Sequence, residues 1–555
     1  MIIGIDVGGT NTDAVLLHNN TVLSKIKTET VPHNLVFSVT AALDSLLEGR
    51  SVKDIERVVL STTLSTNAIV QDRLEGAAMI VSAGPGIDPR HYSIGPDYRV
   101  TGGSIDHRGR ECEKLDLYDI DNILLDLDRL EKRALGVVSR FSVRNPSHEM
   151  AISRRAEKSF DYIALGHLMA GTLNFPRRIA TTYLNASTHH LHRSFVNAIA
   201  AAFREREITA PLFILKADGG TMPLEYSRNY SAFTICSGPA ASIMGLMALV
   251  RAERFTGLDI GGTTTDISLF HRGVPLFKPY GITIGGYPTL IRGLLTRSVP
   301  LGGDSELSVK GGKISVGPLR KGAAKAFGGD TPTLTDALIT LDGKDERHLP
   351  AARQAMEELA ALRGVSAQEA ALESAGRAAQ IIKKEVESLL AEVNSRPVYT
   401  IREMLEGEPV APGLVVAAGG PSRAMAPWLE KAMGRPVMNP PHSEVANAIG
   451  AALAMVTSEL TVHADTEEGW LFVVEQGFRQ MIESSFSLAD AKKLATERMK
   501  LQSSSLMPDG DQYEFTEEQE FAMVRGYYRT GKNMRVRIQS RPGLTGSLRE
   551  ECVTC

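Results

Sequence analysis

A ten-residue motif occurs twice in this chain, as Gly4-Ile-Asp-Val-Gly-Gly-Thr-Asn-Thr-Asp13 and as Gly257-Leu-Asp-Ile-Gly-Gly-Thr-Thr-Thr-Asp266. Each copy sets an aspartate, Asp6 or Asp259, at the end of an apolar run and follows it with two glycines, Gly8 and Gly9 or Gly261 and Gly262. A backbone without Cβ atoms approaches a ligand closely, and consecutive free N–H groups in such a turn face anions. Side chains able to hydrogen-bond follow at Thr10, Asn11 and Thr12, and at Thr263, Thr264 and Thr265. The chemistry implied is that of phosphate groups. Carboxylates serve beside phosphates when a hard cation lies between them, so Asp6 and Asp259 are expected to hold Mg²⁺ mainly through water. Asp13 and Asp266 begin the returning strand, placed to reach the same cation or to orient a nucleophile. A hairpin turn alone accounts for one copy; it does not account for an aspartate before the glycines twice.

A third glycine turn, Gly419-Gly420-Pro421-Ser422, follows the apolar run Leu414-Val-Val-Ala-Ala418 and opens a helix. Its N–H groups suit an adenine or ribose surface, although an N-cap role explains Ser422 equally well. His189 and His192 share a helix face and could ligate a metal, but no acidic or cysteine partner lies near in sequence, which favours a solvated or partner-facing helix that includes His190. His167 is either a substrate contact or a buried, hydrogen-bonded histidine. The terminal Cys552-Val-Thr-Cys555 has redox or half-zinc spacing without a second pair to complete it.

The elements that must position these residues are legible in outline. Residues 2–6 and 14–17 read as strands flanking the first turn, 35–47 as a helix and 58–60 as the next strand, giving the order β-β-α-β. The pattern restarts at 256–260 and 266–270, at a separation too long for a solenoid repeat and suited to a duplicated domain. Arg177 to Arg204 reads as one long helix, Val365 to Val393 as a long amphipathic helix or helix pair, and Ser443 to Met455 as a helix whose small residues permit close packing. With 555 residues the chain exceeds one hydrophobic core. Its 61 basic and 65 acidic side chains supply no electrostatic reason for nucleic-acid or membrane binding. No apolar run is long enough to span a bilayer, and four cysteines make no disulfide framework, so a cytoplasmic protein is expected.

The three glycine turns together resemble the superfamily of sugar kinases, actin and heat-shock chaperones. Within it, Leu64-Ser-Thr-Asn-Ala68, the Val138 to Pro146 stretch, the Gly166 to Asn174 stretch, Asp218-Gly-Gly-Thr221, Ser237-Gly-Pro-Ala240 and Thr333-Leu-Thr-Asp336 are similar to the hydantoinase A / oxoprolinase family. The resemblance runs from residue 1 to about 455. It implies an α/β fold of two ribonuclease-H-like lobes with an ATP cleft between them, inserted α+β segments and a small C-terminal region. The corresponding domains are 1–175, with the first phosphate hairpin; 176–460, with the second hairpin and the adenosine loop; and 461–555, an α+β extension.

The resemblance further implies ATP- and Mg²⁺-dependent attack on a cyclic amide or imide, in which a γ-phosphoryl group moved onto the carbonyl oxygen activates the carbon toward water. Asn67, His167 and Asp304 become candidate substrate contacts. Relatives often read Gly-Gly-Gly-Ser where this chain has Leu301-Gly-Gly-Asp-Ser305, so Asp304 marks a different subgroup; it stands as a metal ligand, a base or a plain loop residue. A second hydantoinase-type subunit and an oligomer are expected. Related activities that fit the same cleft are a carboxylase subunit, a small-molecule kinase and an ATP-driven activator of another enzyme.

Overall fold

The computed structural model describes residues 1–130, 133–395, 408–503, 513–548 and 553–554. Cys552 and Cys555 lie outside the described residues, so the terminal C-x-x-C reading is untouched by the structure.

The duplicated motif forms two equivalent hairpins. Ile2–Val7 pairs antiparallel with Asn11–His18, setting Asp6 opposite Asp13; Phe255–Ile260 pairs the same way with Thr265–His271, setting Asp259 opposite Asp266. On its other side each first strand has a parallel neighbour, Arg57–Thr62 in one sheet and Leu414–Ala418 in the other. The first sheet runs Thr221–Pro223, Leu212–Leu215, Arg57–Thr62, Ile2–Val7, Asn11–His18, Thr21–Glu29. The second runs Val274–Pro275, Thr265–His271, Phe255–Ile260, Leu414–Ala418, Val437–Met438, with Thr296–Val299 also paired to Thr265–His271. Two lobes of like topology result. The strand Thr21–Glu29 corrects the order expected at the N-terminus to β-β-β-α-β. Its sequence, TVLSKIKTE, alternates polar with apolar on a half-exposed edge and lacks the continuous apolar run of its neighbours.

Each lobe buries its sheet under helices. Leu35–Leu47 and the C-terminal half of Phe175–Glu205 cover the first, through Val39, Leu43, Phe195, Ile199 and Phe203. Ala367–Asn394 covers the second with Ala371, Ala375, Ala378, Ile382 and Leu389 on one stripe. That helix starts in a capping box: Ser366 N donates to Glu369 Oε2 at 2.9 Å and Glu369 N returns to Ser366 Oγ at 3.2 Å.

Between the lobes two helices, Ser237–Leu249 and Ala446–Leu453, cross with almost no side chain between them. A Cβ on Gly245 would stand 2.0 Å from the Ala446 carbonyl oxygen, one on Gly450 2.1 Å from that of Ala241, and one on Gly4 2.1 Å from that of Ala448. The small residues expected to pack closely do so here.

Two further sheets complete the chain. Tyr162–Leu165, Ala134–Ser139, Ala78–Ser82 and Tyr98–Val100 form a parallel sheet. Phe478–Met481, Trp470–Val473, Glu459–Asp465, Tyr528–Ser540 and Tyr513–Arg525 form an antiparallel one that packs on the helix Leu488–Ser503 through Ala491, Ala495 and Met499.

Candidate functional site

The turns of the two hairpins close identically. Gly8 N donates to Asn11 O at 3.0 Å, and Gly261 N to Thr264 O at 2.9 Å. Thr12 and Thr265 face into their lobes, Thr12 Oγ1 2.9 Å from Thr30 Oγ1 and Thr265 Oγ1 donating to Leu301 O at 2.7 Å. Thr10, Thr263 and Thr264 remain at the tips with the glycines.

Asp6, Asp13, Asp259 and Asp266 converge between the hairpins. Asn447, on the Ala446–Leu453 helix, donates to Asp6 Oδ2 at 3.2 Å, and the same amide lowers the Asp259 carboxyl against the effect of burial. Asp259 further accepts from Ser242 on the other crossing helix. Lys27, from the edge strand, reaches Asp13 Oδ1 at 2.8 Å and the Glu444 carbonyl at 3.1 Å. All three partners lie outside the motif, Lys27 and Ser242 only 14 and 17 residues from the aspartates they meet and Asn447 441 residues from Asp6; Lys27 lies opposite Asp13 in the register of the missed strand.

Burial raises all four carboxyl groups, taking Asp13 and Asp266 to about 7. At Asp13, Lys27 opposes the effect; the charge of Asp259 adds to it at Asp6, Asp13 and Asp266. Asp6 Oδ1 and Asp266 Oδ1 are buried without a hydrogen-bond partner. Carboxylate oxygens in that condition call for a cation. Among the described residues no group of three or more His, Cys, Asp or Glu side chains is placed to hold a metal ion by itself, so these two oxygens are the donors a cation would find here.

The third glycine turn abuts the second hairpin. Gly419, at φ +90°, leaves no room for a Cβ, which would stand 2.3 Å from Ile260 O and 2.7 Å from Asp259 Oδ1. Gly420 faces open space, and Pro421 lies against Gly303. Ser422 is buried, donating to Gly419 O at 2.7 Å and accepting from Asn439 Nδ2 at 2.7 Å. Asp304 lies at the tip of the second hairpin: its N–H donates to Gly262 O at 2.7 Å and its carboxylate accepts from Arg320 at 2.9 Å.

Asn67 stands on the short helix Leu64–Val70, its Nδ2 donating to Thr63 Oγ1 at 3.1 Å, while Thr63 N donates to Val7 O at the first hairpin. His167 is 2% exposed, with Nδ1 2.6 Å from Glu149 Oε2, so it sits in the interior as a hydrogen-bonded histidine. The solvated-helix reading of His189 and His192 is corrected. Both are buried, His189 stacked on Tyr162 at 3.6 Å and His192 Nε2 2.8 Å from Ser227 Oγ. Their helix is covered on nearly all sides along its first half, and its Thr181, Thr182 and Thr188 hydroxyls return to backbone carbonyls, which hides an interior helix behind a polar sequence.

Residues 2–160 match the family model described as the hydantoinase/oxoprolinase N-terminal region, and residues 178–460 match the hydantoinase/oxoprolinase model. The chain is 25% identical over 377 residues to caprolactamase subunit alpha of Pseudomonas jessenii, covering 61% of this chain and 54% of that protein. It is 26% identical over 241 residues to 5-oxoprolinase of Saccharomyces cerevisiae, covering 42% of this chain and 18% of that protein. The chain thus spans about half the length of the first relative and under a fifth of the second. Two solved structures share the fold across almost the whole chain. The ATP-dependent caprolactamase from Pseudomonas jessenii has a TM-score of 0.72 at 19% identity, covering 98% of this chain and 88% of that one. Nucleotide-free acetone carboxylase has a TM-score of 0.70 at 17% identity, covering 99% and 88%.

Proposed function

The chain belongs to the hydantoinase/oxoprolinase family, and from that premise we propose that it uses ATP to open a cyclic amide or imide. The observation that carries this reading is the convergence of Asp6, Asp13, Asp259 and Asp266 between two glycine turns, joined by Asn447.

In this reading the N–H groups of the Gly8–Gly9 and Gly261–Gly262 turns bind the phosphates and the Gly419–Ser422 turn borders the adenosine. Mg²⁺, held by Asp6 and Asp259 mainly through water, would neutralise charge on the transferring phosphoryl group. The lactam oxygen attacks the γ-phosphorus and ADP departs. One water adds to the activated carbon, the C–N bond breaks toward the amine, and a second water releases phosphate from the acyl phosphate. Because phosphoryl transfer rests on positioning and charge compensation, a cleft without a protein nucleophile suffices. Lys27 holds Asp13 in place, and Ser242 and Asn447 fix the orientation of the carboxylates. A second subunit completes the hydrolytic half in the cytoplasm.

The test is ATP consumption by the full chain with its co-purified partner, with and without cyclic amides. Ring-dependent consumption with release of free phosphate is expected, and equal rates in both conditions defeat the reading. A stable phosphorylated product, visible by phosphorus NMR, would instead make it a kinase; bicarbonate-dependent consumption, a carboxylase subunit; dependence on a protein client alone, an activator.

A further inference from the structure

A glycine turn admits a phosphate through the space that the missing Cβ leaves. At Gly262 that space is taken by a side chain, Asp304 Oδ2 standing 2.9 Å from the Cβ position. At Gly9, the equivalent glycine of the first hairpin, nothing lies within 4 Å. The second hairpin thus carries an anion of its own where the first is open.

Backbone contacts fix this arrangement. Gly302, whose Cβ would stand 2.5 Å from Gly262 O, lets the 302–304 turn lie on the hairpin, and Gly303 N and Asp304 N donate to Gly261 O and Gly262 O at 2.9 and 2.7 Å. Glu306 N donates to Leu319 O and Gly317 N to Glu306 O, each at 2.9 Å, so the segment 317–321 runs beside 304–306 and brings Arg320 to Asp304. Arg320 Nε and Nη2 both donate to Asp304 Oδ2, at 3.1 and 2.9 Å. A guanidinium has five N–H donors; among the described residues Arg320 has no other polar partner, and its side chain is 37% exposed. The next cation, Lys321, is taken by Glu306 at 2.7 Å. Burial raises the Asp304 carboxyl and Arg320 opposes that rise, so the arginine is what keeps a charge on the hairpin.

We propose that Asp304 is a resident anion standing in for a nucleotide phosphate at the second hairpin, and that Arg320 is the cation for which carboxylate and phosphate compete, a role that rests on the ATP cleft described above. A phosphate entering over Gly262 displaces the carboxylate, and the guanidinium, whose planar fork suits either anion, passes from one to the other. The affinity for nucleotide is then set by an exchange of anions. Removing the resident anion strengthens binding, and removing the cation weakens it. An ion pair that merely braced the turn would give two variants that err in the same direction.

Calorimetry on the full chain with Mg²⁺ tests this, using ADP and the non-hydrolysable triphosphate adenylyl imidodiphosphate, with adenosine as the ligand that lacks phosphate. Asp304→Asn is expected to tighten both nucleotides about tenfold and Arg320→Met to weaken them about tenfold, the size of one charge-assisted hydrogen bond. Arg320→Lys should fall between Arg320→Met and the wild type. Adenosine affinity and the circular dichroism spectrum should stay those of the wild type in all three variants. If Asp304→Asn and Arg320→Met shift nucleotide affinity in the same direction, or leave it unmoved, the competition is overturned while the ATP cleft stands. Equal shifts for adenosine overturn it as well, since the pair then acts on the nucleoside. A wild-type chain that binds none of the three ligands ends the cleft assignment and the competition together.

Discussion

The two hairpins carry nearly the same ten residues in the same register, yet they meet different surroundings. The first is open at its tip: Gly9 has nothing within 4 Å of where a Cβ would be. The second is capped by the Gly302–Asp304 turn, with Gly303 N donating to Gly261 O at 2.9 Å and Asp304 Oδ2 2.9 Å from the Cβ position of Gly262. Asp13 has a lysine; Asp266 keeps one oxygen without a partner. A duplicated motif preserves the backbone that a phosphate needs, while each lobe supplies its own counter-charges. The first hairpin is therefore the accessible one and the second the braced one.

The largest effect tests what the hairpins share. Asp6→Ala and Asp259→Ala are each expected to lower ATP turnover by about three orders of magnitude, in the range lost when preorganised charge stabilisation is removed, while circular dichroism shows a folded chain. Retained turnover in both variants would end the assignment of the cleft. Next comes the lysine that distinguishes them. Without Lys27 the Asp13 carboxyl rises above its value of about 7, so Lys27→Met should move the acid limb of the activity profile upward by about one pH unit and cost roughly fivefold at pH 7. An unmoved limb means that Asp13 need not ionise.

The glycines divide the other way. Gly9→Ala should weaken nucleotide binding about tenfold with Tm unchanged, because the methyl fills only the space a phosphate would take. Gly262→Ala should displace Asp304 from Arg320 and cost about 1 kcal/mol of stability, seen as a fall of a few degrees in Tm. The reverse pattern would exchange the roles of the hairpins. The smallest effect concerns Asp266, whose carboxyl rises from 3.8 to about 7. Between those values the folded chain holds a proton that the unfolded chain has released, so stability falls as pH rises. Asp266→Asn should melt with the wild type near pH 4 and a few degrees above it at pH 8.

How much of this the sequence disclosed depends on distance along the chain. The hairpins, the Gly419 turn and the long helices 177–204 and 365–393 are local patterns of turn chemistry and period, and the structure has them within a few residues. Asn447 sits 441 positions from Asp6 and had no motif of its own. The strand Thr21–Glu29 escaped notice because an exposed edge tolerates Lys and Ser, and with it went the lysine that answers Asp13. His189 and His192 misled for the opposite reason: they are polar residues whose stack and hydrogen bond are supplied by Tyr162 and Ser227, on separate segments.

The crossing of Ser237–Leu249 over Ala446–Leu453 ties these observations together. Gly245 shares its helix with Ser242, Gly450 its helix with Asn447, and Gly4 its strand with Asp6. Backbone rests on backbone at this junction, so its geometry suits the axle of a hinge and leaves no slack for the sliding that a shear motion requires. A methyl group added there would act as a wedge at the pivot, and the error would reach the carboxylates without any of them being touched.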